Sequence, residues 1–191
     1  AGEDGTVLVR SSGVWSSLNT GTAENINDIE FYGASALMIA GDNGLLRDGT
    51  TTATSIVTTA VAANTAENLN DVARNGNAVY VAGDNGTLLV SGNITLTNSV
   101  TAATVSTTRN IELVSFKPSS VQAIAMGENA HVRQCSGFSS AVNKQVFAPP
   151  MMAVHFSSVN EGYVAGEKFT VRHTTDGGQS WDVVTPLQQS T

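Results

Sequence analysis

The sequence predicts an all-β protein built from about five repeated four-stranded units, and three observations lead to this prediction. A glycine followed by an acidic residue returns about every 40 residues along the 191-residue chain. Short runs rich in Val, Ile, Thr, Leu and Tyr lie between Gly, Asn and Asp, as strands and turns require. No segment shows a sustained apolar period of 3.6 residues, so we expect almost no helix.

The repeat is defined by five glycines that occupy equivalent positions. They are Gly2, Gly41, Gly83, Gly127 and Gly166. A second element precedes two of them: the segment TAENINDI begins at Thr22, and TAENLNDV begins 43 residues later at Thr65. These alignments divide the chain into a partial unit, 1–20, and four further units, 21–63, 64–106, 107–148 and 149–191.

The second unit shows how four strands fit into one repeat. The predicted strands cover 27–32, 36–41, a stretch that starts at 45, and 55–60. The turn after the second strand contains Asn43-Gly44, and equivalent turns contain Asp4-Gly5 and Asn85-Gly86. Such dipeptides favour a two-residue type I′ turn, because both of its central positions need a positive φ. The equivalent dipeptides Asn129-Ala130 and Lys168-Phe169 must build their turns differently or carry strain.

Four-stranded units with a period near 40 residues are typical of a β-propeller, whose sheets, or blades, are arranged around a central axis. We therefore predict a single small propeller of about five blades over 1–191. The first unit begins within its second strand, so the first blade is incomplete in this chain. We expect another chain or a segment outside this sequence to complete it.

The composition limits the classes of function. The net charge of -7 argues against nucleic-acid binding through phosphates, and no apolar run approaches the ~20 residues of a membrane-spanning helix. A single cysteine excludes an intrachain disulfide and a multi-cysteine zinc site. We expect no signal peptide in this sequence. The low lysine content and the many Thr, Ser and Asn residues favour an extracytoplasmic place: secreted, periplasmic or on a virion surface.

The last unit carries a more specific motif. The stretch from Thr174 to Trp181 reads TTDGGQSW, which fits the Asp-box pattern S/T-x-D-x-G-x-S/T-W. The chain thus resembles the Asp-box, or bacterial neuraminidase repeat, propellers, and 153–184 is similar to one blade of the photosystem II stability/assembly factor family. The resemblance implies a structural role in which the Asp accepts backbone N–H groups across the turn between strands three and four, while the Trp packs against the blade. The residues concerned are Thr174, Asp176, Gly178, Ser180 and Trp181.

Propeller topology places the turn between strands two and three on the same face in every blade. The acidic residues that follow the repeat glycines should therefore share one face with the acidic residues of the TAEN segments. This predicted acidic face consists of Glu3, Asp42, Asp84, Glu128 and Glu167, together with Glu24 and Glu67. It is a candidate surface for a cation, a basic partner or a polar ligand. Calcium is an alternative ligand, although no loop has the spacing of a known calcium motif.

Three arginines lie six residues after a repeat glycine: Arg47, Arg133 and Arg172. We expect them to pair with carboxylates between neighbouring blades. The histidines, His131, His155 and His173, fall at three different repeat positions and form no repeated ligand set. Cys135 has no base beside it in sequence. These observations predict no cofactor, no metal site and no catalytic nucleophile.

The leading hypothesis is a non-enzymatic recognition or adhesion propeller that binds a protein or glycan at a cell or virion surface. Two alternatives follow the resemblance: an assembly factor that docks on a membrane protein complex, and a sialidase-like glycosidase. Sialidases use converging arginines and a Tyr nucleophile. Here the arginines occupy equivalent repeat positions, and Tyr32, Tyr80 and Tyr163 each lie on or beside a predicted strand with apolar neighbours.

Overall fold

The fold is known from a computed structural model, which describes residues 1–128, 131–135, 137–138, 141–146 and 151–184. It contains one two-stranded hairpin followed by four four-stranded antiparallel sheets. In each four-stranded sheet the strands follow one another in chain order, so every sheet is a simple meander. This architecture confirms the prediction of a small all-β propeller with an incomplete first blade.

The strands of each blade have the following bounds. Half-blade 1 contains β1 (Thr6–Ser11) and β2 (Val14–Asn19); blade 2 contains β3 (Ile26–Phe31), β4 (Ala36–Gly41), β5 (Leu46–Thr51) and β6 (Ile56–Ala60). Blade 3 contains β7 (Leu69–Asn75), β8 (Ala78–Gly83), β9 (Leu88–Ser91) and β10 (Thr101–Ala102). Blade 4 contains β11 (Ile111–Phe116), β12 (Ala123–Gly127), β13 (His131–Cys135) and β14 (Ala141–Val146). Blade 5 contains β15 (Met151–Phe156), β16 (Gly162–Gly166), β17 (Thr170–Thr174) and β18 (Asp182–Val183).

The second strand of each inner blade is apolar throughout because both of its faces are buried. In β4, Met38 and Ala40 pack toward blade 3, whereas Leu37 and Ile39 pack toward half-blade 1. This explains runs such as ALMIAG, which show no alternation of apolar and polar residues. Four clusters of this kind form the core between successive blades. Their members include Leu18 with Ile39, Met38 with Val81, Tyr80 with Val114, and Met126 with Met151.

The repeat glycine is required by a close approach of two backbones. A Cβ on Gly41 would collide with the carbonyl oxygen of Asn25, in the segment that leads into the same blade. The neighbouring N–H of Asp42 donates to that carbonyl at 3.1 Å. Any larger residue would separate these backbones and break the hydrogen bond.

The turns after the second strands confirm the type I′ prediction where an Asn-Gly or Asp-Gly pair is present. Asn43 and Gly44 have φ values of 54° and 72°, and the N–H of Leu45 donates to the carbonyl of Asp42 at 2.9 Å. Lys168 and Phe169 adopt the same conformation with φ values of 55° and 58°. The Lys168-Phe169 turn is therefore not built differently from the others, and it carries the backbone strain expected for non-glycine residues at positive φ. The Asn129-Ala130 dipeptide lies outside the described residues.

Blade 3 departs from the expectation of almost no helix. A short helix, α1 (Ile94–Thr97), joins β9 to β10, and Asn98 closes it in the left-handed region with a φ of 45°. Ile94 is buried in the core between blades 2 and 3, which holds the helix in place. No helix in the described part of the chain is long and apolar enough to cross a membrane.

Candidate functional site in the central cavity

The predicted acidic face lies at one end of the blades, and much of it bonds internally. Asp42 begins the turn after β4, and the side-chain amide of Asn43 in that turn donates to Glu24 at 2.7 Å. Blade 3 repeats this contact between Asn85 and Glu67 at 2.7 Å. Equivalent turns begin at the remaining predicted positions that the structure describes in full: Glu3, Asp84 and Glu167. The backbone N–H of Glu128 donates to Asn110, in the segment that leads into blade 4.

Asparagine amides donate to two carboxylates of this face, those of Asp42 and Asp84. Asn25 donates to Oδ2 of Asp42 at 2.8 Å, and Asn27 donates to its Oδ1 at 2.9 Å. The same amide of Asn27 also donates to the carbonyl of Leu69 in blade 3. In the next repeat, Asn68 and Asn70 hold Asp84, and Asn70 also reaches the carbonyl of Ile111 in blade 4. Asn27 and Asn70 therefore tie blade 2 to blade 3 and blade 3 to blade 4. Ligand binding by this face stays a prediction.

Blade 4 replaces the asparagine at this position with an acid. Glu112 occupies the bulge of β11 that corresponds to the position of Asn27 in β3. Burial, followed by the charges of Asp84 and Glu128, raises the pKa of Glu112. Within the described residues, no three His, Cys, Asp or Glu side chains are arranged to hold a metal ion.

The three repeated arginines have different surroundings. Arg47 donates to Thr58 of its own sheet at 2.6 Å, and this contact takes the place of the predicted ion pair with a carboxylate. Arg133 is buried in blade 4, and this burial lowers the pKa of its guanidinium. Arg172 lies on β17 opposite Val164 and Val183. Inter-blade pairing stays a prediction for Arg133 and Arg172.

An ion pair between blades occurs at a residue that was not predicted. Arg74 on β7 contacts Asp48 on β5 of the preceding blade, with an N–O distance of 2.7 Å. Its guanidinium also lies 3.6 Å from the centre of the Tyr32 ring, and the Tyr32 hydroxyl donates to Asp48 at 2.5 Å. Burial, followed by the hydrogen bond to Asp48, raises the pKa of Tyr32 to about 12.

The Asp-box residues form one turn between β17 and β18. Oδ1 of Asp176 accepts the backbone N–H groups of Gln179 and Ser180, both at 2.9 Å, and the Ser180 hydroxyl donates to Oδ2 at 2.6 Å. Partial burial alone would raise the pKa of Asp176, but the hydrogen bonds outweigh it and lower the pKa to about 2. The Thr174 hydroxyl accepts the N–H of Gly178 at 2.8 Å. Trp181 is buried against Phe156, with the ring centres 5.9 Å apart.

A central cavity of about 470 Å³ lies between the first strands of blades 2 to 5. Two carboxylates in its wall connect successive blades. Oδ2 of Asp28 on β3 accepts the backbone N–H of Val72 at 3.1 Å, and Oδ2 of Asp71 on β7 accepts that of Val114 at 2.6 Å. The two carboxyl groups also lie within hydrogen-bonding reach of each other. Burial, together with the neighbouring Asp28 carboxylate, raises the pKa of Asp71 to about 8. Asp71 therefore favours its protonated form to a much higher pH than an ordinary Asp.

The cavity has two chemically different walls. The wall from β3 and β7 carries Asp28, Glu30 and Asp71, together with Arg74, whose guanidinium is paired with Asp48. Burial, followed by the charge of Asp28, raises the pKa of Glu30. The opposite wall, from β11 and β15, is mainly apolar. Its apolar side chains are Leu113, Val114, Phe116, Met152, Ala153 and Val154, with His155 at the end of β15. Such a cavity is complementary to a positive group that has an apolar neighbour.

None of the cavity acids was predicted as a site residue. Asp28 and Asp71 occupy the same position in the repeated segments TAENINDI and TAENLNDV. This shared Asn-Asp pair is the sequence signal that could have identified them as candidate site residues. The described histidine side chains, His155 and His173, lie apart: His155 lines the cavity, whereas His173 stacks on Tyr163 and contacts Glu161 at 3.3 Å. Cys135 is buried, and burial raises the pKa of its thiol to about 12.

Comparisons with known proteins identify the fold class. No family model and no curated protein sequence matches the chain. The WD40 β-propeller domain of Doa1 is similar in structure, with a TM-score of 0.66 and 13% identity over 96% of this chain and 57% of the other. The structure of YCF48 bound to a D1 peptide has a TM-score of 0.65 and 12% identity over 93% of this chain and 60% of the other. The chain is therefore a β-propeller that spans less than two thirds of the length of these two structures.

Proposed function

We propose that this chain is a non-enzymatic, protein-binding propeller whose central cavity receives a segment of a partner protein. The observation that carries the proposal is the pairing of an acidic wall with an apolar wall in one cavity of about 470 Å³. A peptide segment with a basic residue beside an apolar residue matches both walls. The structural similarity to YCF48, which was solved with a D1 peptide, agrees with this type of ligand.

The absence of catalytic geometry among the described residues supports a binding role. Arg47 donates to Thr58 on β6, Arg133 is buried on β13 of blade 4, Cys135 is buried, and the Tyr32 hydroxyl is held by Asp48. A sialidase needs converging arginines around a free Tyr nucleophile. We accordingly rank the glycosidase below a recognition protein. We further infer an extracytoplasmic place, from composition, and membership of the Asp-box propellers, from the turn that holds Asp176.

One alternative receives support from a specific observation. The similarity to YCF48 favours an assembly factor that docks on a membrane protein complex. Such a factor also binds a protein segment, so the two hypotheses share the cavity and differ in the partner. Co-purification of photosynthetic subunits with the tagged chain would favour the assembly factor.

Selection from a displayed library of random 12-residue peptides tests the proposal. We expect enriched peptides that contain Lys or Arg next to an apolar residue, with affinities measurable by fluorescence polarisation. Met152 lines the cavity and is 68% exposed, so Met152→Arg should weaken these peptides at least tenfold without disturbing the core. Leu96→Arg is the matched control, because Leu96 is 81% exposed and does not line the cavity. Failure to enrich any peptide, or equal binding by both variants, would contradict the proposal.

A further inference from the structure

A second cavity of about 470 Å³ lies away from the central axis, between the outer strands of blade 2 and the α1 connection of blade 3. It is an open groove whose polar lining carries hydroxyl, carboxyl and amide groups. These come from Tyr32, Asp48, Thr50, Thr59, Thr95 and Asn98. The groove is separate from the central cavity, whose lining comes from the first strands of the blades.

The carboxylate of Asp48 is the charged group in this lining, and its neighbours neutralise it and fix its position. Asp48 accepts the hydroxyl of Tyr32 through Oδ1 and the guanidinium of Arg74 through Oδ2. Arg74 is only 8% exposed, and its Nε also donates to the carbonyl of Gly76 at 2.9 Å. The carboxylate therefore keeps its orientation and still has lone pairs that can accept hydroxyl groups. Because the charges of Asp48 and Arg74 cancel, the groove favours a ligand without net charge.

The wall from blade 3 is also held in place. The side-chain amide of Asn98 donates to the carbonyl of Ala60 at 3.1 Å, and the N–H of Ala62 donates to the carbonyl of Asn98 at 3.2 Å. Ile94 anchors the start of α1 in the core. A groove with two fixed walls is preorganised, which reduces the entropic cost of binding a ligand.

Hydrogen-bonding groups remain available in the groove. The hydroxyls of Thr50 and Thr59 form no hydrogen bond to the residues that the structure describes, and both residues point toward solvent from adjacent strands. Oδ1 of Asn98 is likewise not used by any described donor. Several uncharged donors and acceptors around one fixed carboxylate are suited to a ligand that presents neighbouring hydroxyl groups.

We propose that the groove between β5, β6 and α1 binds a neutral saccharide through Asp48, Thr50, Thr59 and Asn98. Arg74 and Tyr32 act as positioning residues, because they hold Asp48 in place. The groove and the central cavity share no lining residue, although Arg74, which holds Asp48 in the groove, also lines the central cavity.

A glycan array that contains neutral and sialylated mono- to tetrasaccharides tests this proposal with the whole chain. We expect the protein to bind neutral saccharides on the array. Saturation-transfer NMR then measures binding of the best saccharide by the natural protein and its variants. Thr50→Val and Thr59→Val keep the β-branched shape but remove one hydroxyl each, so each should weaken binding about tenfold. Thr54→Val is the matched control, because Thr54 is exposed in the β5–β6 turn and does not line the groove.

Arg74→Lys supplies a second readout that does not depend on a hydroxyl. Lys keeps the charge but loses the fork that holds Asp48, so saccharide binding should fall. Circular dichroism and unfolding curves verify that each variant is folded. The proposal is wrong if the folded protein binds no saccharide at millimolar concentration, if it binds only sialylated ones, or if Thr50→Val and Thr54→Val bind equally.

Discussion

The carboxylate of Asp71 accepts the backbone N–H of Val114 in the next blade at 2.6 Å, and the carboxylate of Asp28 makes the same contact with Val72 at 3.1 Å. The same hydrogen bond thus joins blade 2 to blade 3 and blade 3 to blade 4, and both copies face the central cavity. At the boundary between blades 4 and 5, Leu113 occupies the equivalent position of the repeat and packs in an apolar cluster. The cavity becomes asymmetric because this one repeat position changes from acidic to apolar.

The raised pKa of Asp71 predicts how the stability of the protein depends on pH. The pKa of Asp71 is raised to about 8 in the folded protein, whereas an unfolded Asp titrates near 4. The stabilisation by the protonated carboxyl is complete below pH 4 and is lost as the pH rises through about 8. We expect the free energy of unfolding to fall by more than ~1 kcal/mol between pH 5 and pH 9. Urea unfolding at several pH values measures this slope.

Asp71→Asn mimics the protonated group, since its amide can donate to Asp28 while its oxygen accepts from Val114. This variant should show a smaller slope and should be more stable than the natural protein at pH 9. Asp182→Asn, on the exposed strand β18, is the control and should keep the natural slope. Equal slopes for the natural protein and Asp71→Asn would contradict the raised pKa of Asp71.

The strained turn at Lys168-Phe169 predicts a stabilising substitution. Phe169 has a φ of 58° and is 95% exposed, so it carries backbone strain with little packing in return. Phe169→Gly should raise the free energy of unfolding by about 1 kcal/mol, because glycine adopts positive φ without a Cβ clash. Phe169→Ala removes the ring but keeps the strain, and it is therefore the control. If the Gly and Ala variants are equally stable, the strain is absent.

Asn70 joins blades 3 and 4, and we predict that a negative charge at this position destabilises the protein. Asn70 donates to Asp84 at 3.0 Å and to the carbonyl of Ile111 at 3.1 Å. Asn70→Ala should cost about 1–2 kcal/mol, because two acceptors lose their donor. Asn70→Asp should cost more, since it adds a negative charge beside Asp84. Asn77→Asp, in the exposed β7–β8 turn, controls for the added charge. Thermal unfolding ranks the stability of the three variants. If Asn70→Asp loses no more stability than Asn77→Asp, Asn70 does not join blades 3 and 4 as described.

We predict that removing the Asp176 carboxylate disrupts the structure of blade 5 locally. Asp176→Ala removes the acceptor of Gln179 and Ser180 and should cost about 2 kcal/mol. Because its pKa is lowered to about 2, the contribution of Asp176 is present above pH 4 and is lost as the pH falls through about 2. Trp181 is 4% exposed and reports the change as a red shift in fluorescence. Asp182→Ala is the control, and a similar red shift in both variants would contradict this role.

Much of the architecture was predictable because it depends on local rules. The apolar runs, the Asn-Gly turns and the repeat glycine are each explained within one blade, and β4 and the turn at Asn43 were predicted correctly. The helix α1 was missed because four residues do not show a helical period. Its position depends on Ile94, which is buried between two blades.

The candidate site was less predictable because its contacts cross between blades. Asp28 and Asp71 were visible only as part of a repeat, and nothing local shows that Oδ2 of each reaches the next blade. Arg74 has no equivalent in the other units, so the repeat pattern pointed to Arg47 instead. The ion pair of Arg74 with Asp48 depends on the packing of β7 against blade 2.

Methyl NMR of the protein with a selected peptide tests the central claim most directly. Met152, Val154 and Leu113 line the cavity, whereas Leu96 and Val57 lie outside it. We predict that the peptide shifts the methyl signals of the first group and leaves those of the second group unchanged. Shifts confined to Leu96 and Val57, or to the hairpin of half-blade 1, would contradict a central binding cavity.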